Sequence, residues 1–591
     1  MRVFDFENER LAEKIAEVKV KTGQLSLFRL FVFVGLVCFL VLFFSDAFWW
    51  IFLLLASVAG FVYLIQQYNF QKDQGLIYRS LIQIEENKTA RQNRNLSNLD
   101  QGAEFKDKGH PFCDDLDLFG SHSLFQLLNH TQSQTARVKL AEKLKSPMQL
   151  ADSEKLREAV DELSQKSELL RAYEAVGMSF FDQSLSQNQW KSWLETEEKG
   201  KLWMLVSGVI GMLGGAVLFF LSYAEVIPFG FLGLWVLVGV FLMAFVFQPL
   251  KTAAAKIPSK RTLKAFRHWL VLLEKEDFQA EYLQKSTESL KAQGVLASEK
   301  LKGLDRMGFW IESRLNVLYI PINLILWTDL ILYYNLFRWK RKFGEQVAHY
   351  PALLSDWEVW VSLGAFQQEV GRDGKVKLTE QLCFSGQELS HPLLSPKKAI
   401  SNSFTIDRSA KLTLLTGANM SGKTTFMRTL GTNLVLINLG LRPFGESVEL
   451  GQFQLYTSMR NSDNLGESVS SFYAELSRIK KLIDRLDSGE KLFFLLDEIL
   501  KGTNTEDRIS GSEALIRQLQ DSPSLGIIST HDIELSQLEN EIPYVKNYSF
   551  HSEIHDKTID FDYKIKRGPC PSFNAHKLME LMGIRFQERE K

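Results

Sequence analysis

The sequence predicts a multidomain protein of the α and α/β classes, with two transmembrane helical hairpins, a helical core and a C-terminal α/β domain. Three observations lead to this prediction. Four long uncharged apolar runs occur as two close pairs. Apolar residues around the second pair recur every three to four residues, which is typical of amphipathic helices. Apolar strand-like runs alternate with helical segments only in the C-terminal third, and 591 residues suffice for several domains.

The first hairpin is predicted at residues 26–66, after a cytosolic N-terminal segment at 1–25, and the second at residues 201–250. Each member is close to the roughly 20 residues that span a bilayer, and a buried helix of a soluble core is the alternative for each run. A signal peptide does not explain the first apolar run well, because a second apolar run follows it after a turn of two residues. The four runs are Leu30–Phe44, Ala47–Ile65, Leu202–Leu221 and Val226–Phe247.

Basic residues flank both hairpins, whereas the turns Ser45-Asp46 and Ser222–Ile227 contain none. By the positive-inside rule both turns face outward and all soluble parts face the cytosol. The expected location is the inner (cytoplasmic) membrane, with four spanning helices. The flanking residues are Lys14, Lys19, Lys21, Arg29, Lys72, Arg79, Lys201, Lys251, Lys256, Lys260 and Arg261.

The remaining N-terminal sequence is predicted to be helical. A polar linker is expected at 67–109, and the helical core is expected in two segments, the first at 110–200 and the second at 251–390. Leu263, Phe266, Leu270 and Leu273 give one apolar stripe of this core.

Residues Leu315–Phe337 are apolar enough to resemble a fifth membrane span. Asp329 and Pro321 within them favour a buried core helix instead.

Within the C-terminal domain, residues 391–591, a phosphate-binding pattern G-x-x-x-x-G-K-[ST] runs from Gly417 to Thr424. It follows the strand-like run 411–416 and precedes a plausible helix, so a chance match is the weaker interpretation. Glycines let backbone N–H groups close around phosphate oxygens, Lys423 reaches the terminal phosphates, and the Thr424 hydroxyl binds Mg²⁺. The pattern therefore indicates binding of ATP or GTP.

Two further strand-like runs end in polar residues. The run 491–496 leads into Asp497 and Glu498, and the run 525–530 leads into His531. Asp497 is expected to bind Mg²⁺, Glu498 to polarise the attacking water, and His531 to sense the γ-phosphate. The alternatives are a core strand running into a solvated acidic turn and, for His531, a purely structural role.

These residues resemble the MutS family of DNA mismatch-repair ATPases, a branch of the ABC-type ATPases. Residues 416–428 are similar to the family loop TGPNMxGKSTxxR, including the unusual Asn419-Met420 pair, and residues 496–507 to DEIGRGTSTxD, although Leu500 and Lys501 replace Gly and Arg. Residues 529–531 resemble its (A/S)TH segment. Weaker similarity covers 117–137, 154–163, His391-Pro392 and the closing segment 566–584.

The resemblance implies a P-loop ABC-type ATPase domain that uses ATP and Mg²⁺ and forms a homodimer. It also implies that Ser470 and Glu475, in an SxFxxE signature, act in trans on the partner's nucleotide. Glu498, His531 and Lys423 are the expected catalytic residues, and Thr424 and Asp497 the Mg²⁺ ligands. The expected nucleotide-binding residues are Gly417, Ala418, Asn419, Met420, Ser421, Gly422, Lys423, Thr424, Thr425, Ser470 and Glu475.

The expected partner is double-stranded DNA that is mismatched or branched, with a membrane ATPase acting on a protein partner as the alternative. The family's mismatch-reading phrase is not found, and residues 1–25 are too few for that domain. The net charge of -1 gives no overall attraction to DNA, so contacts would need the local clusters 256–267 or 338–342. For the cluster 256–267, the positive-inside rule is a simpler explanation than DNA binding. For the cluster 338–342, a solvated helix face is an equally good explanation.

A transporter half is a poorer interpretation, because four spans in two distant hairpins make a poor translocation path. Four scattered cysteines indicate neither a disulfide framework nor a zinc site.

Overall fold

The structure is a computed structural model that describes residues 4–45, 50–182, 187–196, 200–291, 294–314, 316, 319–418, 420–460, 471–555 and 558–571. The chain divides into two compact units. Unit 1 comprises residues 1–86, 130–137 and 166–361, and unit 2 comprises residues 87–129, 138–165 and 362–591.

The described residues are mostly helical. The α-helices in chain order are α1 (Leu11–Ser45), α2 (Trp50–Gln92), α3 (Leu124–Leu128), α4 (Gln134–Leu144), α5 (Leu150–Gln165), α6 (Ser167–Phe180), α7 (Gln187–Glu195), α8 (Leu202–Tyr223), α9 (Phe229–Lys256), α10 (Lys260–Lys275), α11 (Glu281–Lys291), α12 (Ala297–Ser313), α13 (Tyr319–Leu326), α14 (Thr328–Ala348), α15 (Tyr350–Glu369), α16 (Lys423–Asn438), α17 (Ser471–Asp487), α18 (Thr505–Gln518) and α19 (Leu538–Glu541).

Four of these helices, α1, α2, α8 and α9, are long and apolar enough to cross a membrane. They overlap the four runs predicted from the sequence, and α1 and α2 extend well beyond their runs, to Leu11 and to Gln92. Their large apolar side chains are mostly exposed, for example Phe31, Leu213 and Leu237. Such continuous exposure is costly in water and typical of a lipid-facing surface.

The rest of unit 1 is a helical core rich in aromatic residues. The amphipathic stripe predicted on α10 is confirmed, because Leu263, Phe266, Leu270 and Leu273 are all buried. The Trp269 ring stacks on Tyr173 of α6 with centroids 4.8 Å apart, and its indole N–H donates to the Tyr173 carbonyl at 2.8 Å.

The stretch Leu315–Phe337 does not form one straight helix. Among its described residues, α13 and α14 meet at Trp327 with a bend of 86°. Trp327 has φ 53°, in the left-handed region that interrupts a right-handed helix.

Unit 2 contains two sheets. The strands are β1 (Lys375–Leu378), β2 (Cys383–Leu389), β3 (Asn402–Asp407), β4 (Leu412–Gly417), β5 (Ser447–Leu450), β6 (Gln454–Ser458), β7 (Leu492–Asp497), β8 (Leu525–Thr530), β9 (Val545–His555) and β10 (Thr558–Arg567). The smaller sheet has the order β1-β5-β2-β3 and the larger the order β10-β9-β4-β8-β7-β6. In the larger sheet only β10 is antiparallel to its neighbour.

Strands β4, β8 and β7 form the centre of the larger sheet and are almost entirely buried. Their near-continuous apolar sequence fits a parallel sheet covered on both faces. Because Thr416 pairs with Thr530 and Asp497 with Ser529, the three strands end at one edge. Ligands bind at this edge in open α/β sheets.

Segments from residues 87–129 and 138–165 also pack within unit 2. The buried Asp115 carboxylate accepts a hydrogen bond from the Thr457 hydroxyl at 2.6 Å. Arg428 on α16 pairs with Asp117 at 3.0 Å, and Arg442 makes two 2.8 Å bonds to Asp161. These contacts tie the segments to β6, to α16 and to the residues that follow α16.

Candidate active site

The loop between β4 and α16 requires glycine at two positions. Gly417 has φ 152° and Gly422 φ 108°, both positive values that an L-side chain rarely adopts. A Cβ on Gly417 would also lie 2.9 Å from the Phe550 carbonyl oxygen. α16 begins at Lys423, so its free N–H groups and the positive end of its dipole face the loop. This geometry suits an anion.

Lys423 is 4% exposed and folds back over the loop. Its ammonium donates to the carbonyl oxygens of Gly417 at 2.8 Å and Ala418 at 3.1 Å. Burial lowers the pKa of Lys423, although Glu498 and Asp497 nearby oppose this shift. A buried cation whose hydrogen bonds go to neutral carbonyl oxygens is suited to pairing with phosphate oxygens.

Thr424 and Asp497 come together although 73 residues separate them in sequence. The Thr424 hydroxyl donates to Asp497 Oδ2 at 2.6 Å. The other carboxylate oxygen accepts a hydrogen bond from the Ser529 hydroxyl on the neighbouring strand β8. Ser529 was missed in the sequence analysis, and only its register opposite Asp497 shows its role. It orients the carboxylate toward Thr424.

Glu498 lies between two basic side chains. Its carboxylate hydrogen-bonds to His531 Nε2 and pairs with the Lys501 ammonium. Burial by itself would raise the pKa of Glu498, but His531 and Lys501 outweigh it and lower the pKa to about 2. The Glu498 backbone has φ 50°, a conformation that costs energy in a non-glycine residue and occurs often at functional sites.

The turn that carries His531 is fixed by an ion pair. Arg508 on α18 makes two hydrogen bonds, of 2.8 and 2.7 Å, to the carboxylate of the adjacent Asp532. This bidentate contact restrains the segment that follows β8.

Glu475 on α17 lies against the segment after β7 in the same chain, where it accepts a hydrogen bond from the Leu500 backbone N–H. Burial raises its pKa, partly offset by backbone N–H donors of residues 500–502. Ser470 and Asn419, also predicted site residues, lie outside the described residues. Met420 is described and is largely exposed. The action of Ser470 and Glu475 in trans stays a prediction.

A cavity of about 730 Å³ opens beside the loop. Gly422 and Thr425 form one side, and segments distant in sequence form the rest. Asn402 links two of them, because its side chain donates to the Tyr563 carbonyl at 3.0 Å and accepts from the Ile565 N–H at 2.8 Å. The sequence analysis missed this cavity. Its other lining residues include His391, Ile400, Phe426, Phe550 and Phe561.

The residues present fit a nucleotide and Mg²⁺. Ser421 Oγ in the loop is buried and has no hydrogen-bond partner among the described residues, so the loop holds an unsatisfied polar group where phosphate would lie. Thr424 and Asp497 supply the hydroxyl and carboxylate oxygens that Mg²⁺ prefers, and Mg²⁺ takes its other ligands from water and phosphate.

Comparison with known proteins shows what the C-terminal region is similar to. The family model for MutS domain V matches residues 413–584. This region therefore has the character of a MutS family domain. The matched residues include the loop, Asp497, Glu498 and His531.

Curated DNA mismatch repair MutS proteins show the same relationship. The MutS protein of Caldicellulosiruptor bescii is 29% identical over 178 residues, covering 29% of this chain and 20% of that protein. That of Thermotoga petrophila is 28% identical over 197 residues, covering 33% and 25%. That of Flavobacterium psychrophilum is 29% identical over 199 residues, covering 32% and 23%. The similarity therefore spans about a fifth to a quarter of these MutS proteins.

Proposed function

We propose that this protein is a membrane-anchored MutS-like ATPase that couples ATP binding and hydrolysis to a conformational change. The observation that carries the proposal is the convergence of Lys423, the Thr424–Asp497 pair and the Glu498–His531 pair at one sheet edge. Lys423 binds the terminal phosphates, Glu498 activates water, and His531 senses the γ-phosphate. The site is supported by the match to MutS domain V.

ATP and Mg²⁺ are the proposed cofactors. The loop N–H groups and Lys423 bind the phosphates, while Thr424 and Asp497 hold the metal. The cavity beside Gly422 and Thr425 takes the base and sugar, since its rim carries aromatic side chains such as Tyr563. When bound, Mg²⁺ neutralises the charge that develops on the transferring phosphoryl group.

The membrane anchor consists of the hairpins α1–α2 and α8–α9. Four apolar helices whose large side chains are exposed support it, and the positive flanks favour a cytosolic position for the soluble parts, where ATP is available. The location follows as the inner (cytoplasmic) membrane.

A homodimer through unit 2 also belongs to the proposal. Glu475 supports the segment 500–502, which contains Lys501, the residue paired with Glu498. A partner that moves α17 would therefore alter the surroundings of Glu498 directly. Glu475 of the SxFxxE signature therefore acts within its own subunit as well as across the dimer.

The first candidate target is double-stranded DNA that is mismatched or branched, because the matched relatives are named DNA mismatch repair proteins. The second is a protein partner without DNA. Internal pairing in the basic cluster 256–267 favours the second, because Lys264 pairs with Asp73 and Arg267 pairs with Asp305 at 3.3 Å. Side chains engaged in this way contribute little to phosphate binding.

One titration separates the two candidates. ATP hydrolysis by the detergent-purified full chain is measured with homoduplex, mismatched and four-way-junction DNA at two salt concentrations, with Glu498→Gln as the control. Stimulation by one DNA structure that weakens steeply with salt supports DNA as the target. Glu498-dependent hydrolysis that is indifferent to all three DNAs supports the protein partner. Hydrolysis that is unchanged in Glu498→Gln refutes the assigned site.

A further inference from the structure

The bent pair α13–α14 packs against the second hairpin without a gap. Three glycines of α8 face it. A Cβ on Gly208 would lie 2.7 Å from Ile331, a Cβ on Gly211 would lie 2.6 Å from the Trp327 ring, and a Cβ on Gly215 would collide with the Ile325 carbonyl. Because these glycines carry no side chain, the two backbones approach closely, as in packed membrane helices.

Trp327 is the residue at the bend and it fills a slot between α8 and α9. Its ring stacks on Trp235 of α9 with centroids 4.4 Å apart, and Gly239 leaves the space that its indole occupies. The Trp235 N–H donates to the Ile325 carbonyl at 3.0 Å, so a carbonyl near the break in the helix is satisfied by the hairpin.

Apart from the buried Trp327 indole N–H, which has no hydrogen-bond partner among the described residues, the polar side chains near the bend pair with one another. Asp329 is 4% exposed, and its carboxylate accepts from the Tyr319 hydroxyl at 2.8 Å and pairs with Arg314 at 3.0 Å. Asn323 Oδ1 accepts from the Asp329 N–H at 2.9 Å and the Thr328 hydroxyl at 2.8 Å, which caps the start of α14. Internal pairing of this kind is what irregular backbone and ionisable groups need at membrane depth.

The contacts also give the depth of the bend. Phe337 lies against Gly200, at the start of α8, while Trp327 lies against Gly211. α14 therefore runs antiparallel to α8 for the ten residues from 337 back to 327, which is about 15 Å of helix. This is about half of a hydrocarbon core that is roughly 30 Å thick.

The exposed residues change from apolar to basic at the level of Phe337 and Gly200. Beyond Phe337, α14 exposes Arg338, Arg341 and Lys342 on one face. On α13, by contrast, Ile320 is 53% and Ile322 49% exposed, beside the exposed apolar faces of α8 and α9. The boundary between apolar and basic surface on α14 thus coincides with Gly200 and with Lys201, the residue that precedes α8.

We propose that residues 319–337 form a re-entrant membrane element, in which α14 leads from Trp327 near mid-depth to the cytosolic side and the 86° bend directs α13 across the hydrocarbon core. The acyl chains of the bilayer cover α13 at Ile320 and Ile322. The inference rests on the proposed membrane anchoring of α8 and α9. It differs both from a full fifth span and from a buried core helix, the two alternatives considered from the sequence.

The test measures how deeply α13 lies in lipid. Single cysteines at Ile320, Leu213 and Lys342 are introduced into the full chain with Cys38 and Cys383 replaced, while the buried Cys113 and Cys570 are kept. Each variant is labelled with an environment-sensitive fluorophore and reconstituted into vesicles of phosphatidylcholine and phosphatidylglycerol. Quenching by lipids that carry a spin label at mid-chain is compared with quenching by aqueous iodide.

The expected result is that lipid quenching at Ile320→Cys matches that at Leu213→Cys and exceeds that at Lys342→Cys by about fivefold, because the quencher acts only within the hydrocarbon core. If Ile320→Cys behaves like Lys342→Cys while Leu213→Cys is quenched by lipid, the re-entrant element is refuted and the membrane anchor stands. If iodide quenches all three labels, both proposals fail.

Discussion

Replacement of Glu498 by Gln tests the assigned chemistry most sharply. The substitution keeps the size of the side chain and an acceptor oxygen, but it removes the negative charge that His531 and Lys501 surround. It also removes the carboxylate at the end of β7 that we propose accepts a proton from water, while Asp497, the proposed Mg²⁺ ligand, is kept. We therefore expect the variant to bind ATP and to accumulate as an ATP-bound dimer.

The expected loss of kcat follows from the role of Glu498 as a general base, and its pH dependence follows from the pKa of Glu498. Loss of a general base reduces kcat by about 10²- to 10⁴-fold, equivalent to about 3–5 kcal/mol in the barrier. The pKa of Glu498 falls from 4.5 to about 2, so interactions worth about 3 kcal/mol favour its ionised form. Because the folded-state pKa is lowered, this stabilisation is complete above about pH 4.5 and is lost as the pH falls toward 2. Glu498 is thus ionised throughout pH 6–9, and the ratio of wild-type to variant rates is constant over that range.

The assay is steady-state phosphate release by the full chain in detergent at pH 6, 7.5 and 9, together with binding of a fluorescent ATP analogue. Glu506→Gln, which neutralises an exposed acid in the first turn of α18, is the matched control and retains the wild-type rate. A loss of less than about tenfold in Glu498→Gln would contradict general-base catalysis by this residue. A ratio of wild-type to Glu498→Gln rates that changes strongly between pH 6 and 9 would contradict the lowered pKa of Glu498.

Three other predictions follow from the contacts. Lys423→Ala removes the buried cation of the loop, and we expect the Kd for ATP to rise by at least about 100-fold in equilibrium binding, since charge-assisted bonds contribute about 3 kcal/mol together. Lys501→Met removes one cation beside Glu498, so the pKa of Glu498 rises and the basal hydrolysis rate increases by about two- to fivefold; a decrease would show that Lys501 assists the reaction. Trp327→Ala empties the slot in the second hairpin and should lower the free energy of unfolding by about 3–5 kcal/mol, whereas Trp310→Ala, at an exposed position of α12, should cost less than about 1 kcal/mol, both measured by denaturation in detergent.

The local features of the candidate site were predictable from the sequence. The phosphate loop, Asp497, Glu498 and His531 each directly follow a short apolar strand, and parallel strands deliver their C-terminal residues to one edge. To predict that these residues converge, only the order of the strands in the sheet was needed. The four apolar helices were predictable for a similar reason, since hydropathy and length are properties of a continuous segment.

Features that depend on contacts between distant segments were not predictable. The cavity beside Gly422 is completed by residues near 400 and 563, and no local pattern links them. Lys501 was noted only as a departure from the family, whereas its ion pair with Glu498 depends on the turn after β7. The bend at Trp327 arises because glycines on α8 and α9 form a slot for its ring, a fit that periodicity does not encode.

The proposed function depends on ATP hydrolysis at the loop of Lys423 in unit 2 of a membrane-embedded protein. The rate of Mg²⁺-dependent ATP hydrolysis by the full chain in lipid nanodiscs is compared between wild type, Lys423→Ala and the control Lys377→Ala, which removes an exposed lysine of β1 that does not line the nucleotide cavity. We expect hydrolysis in wild type and Lys377→Ala, loss of hydrolysis in Lys423→Ala, and loss in all samples when Mg²⁺ is chelated. Equal hydrolysis by wild type and Lys423→Ala would refute ATP hydrolysis at this loop.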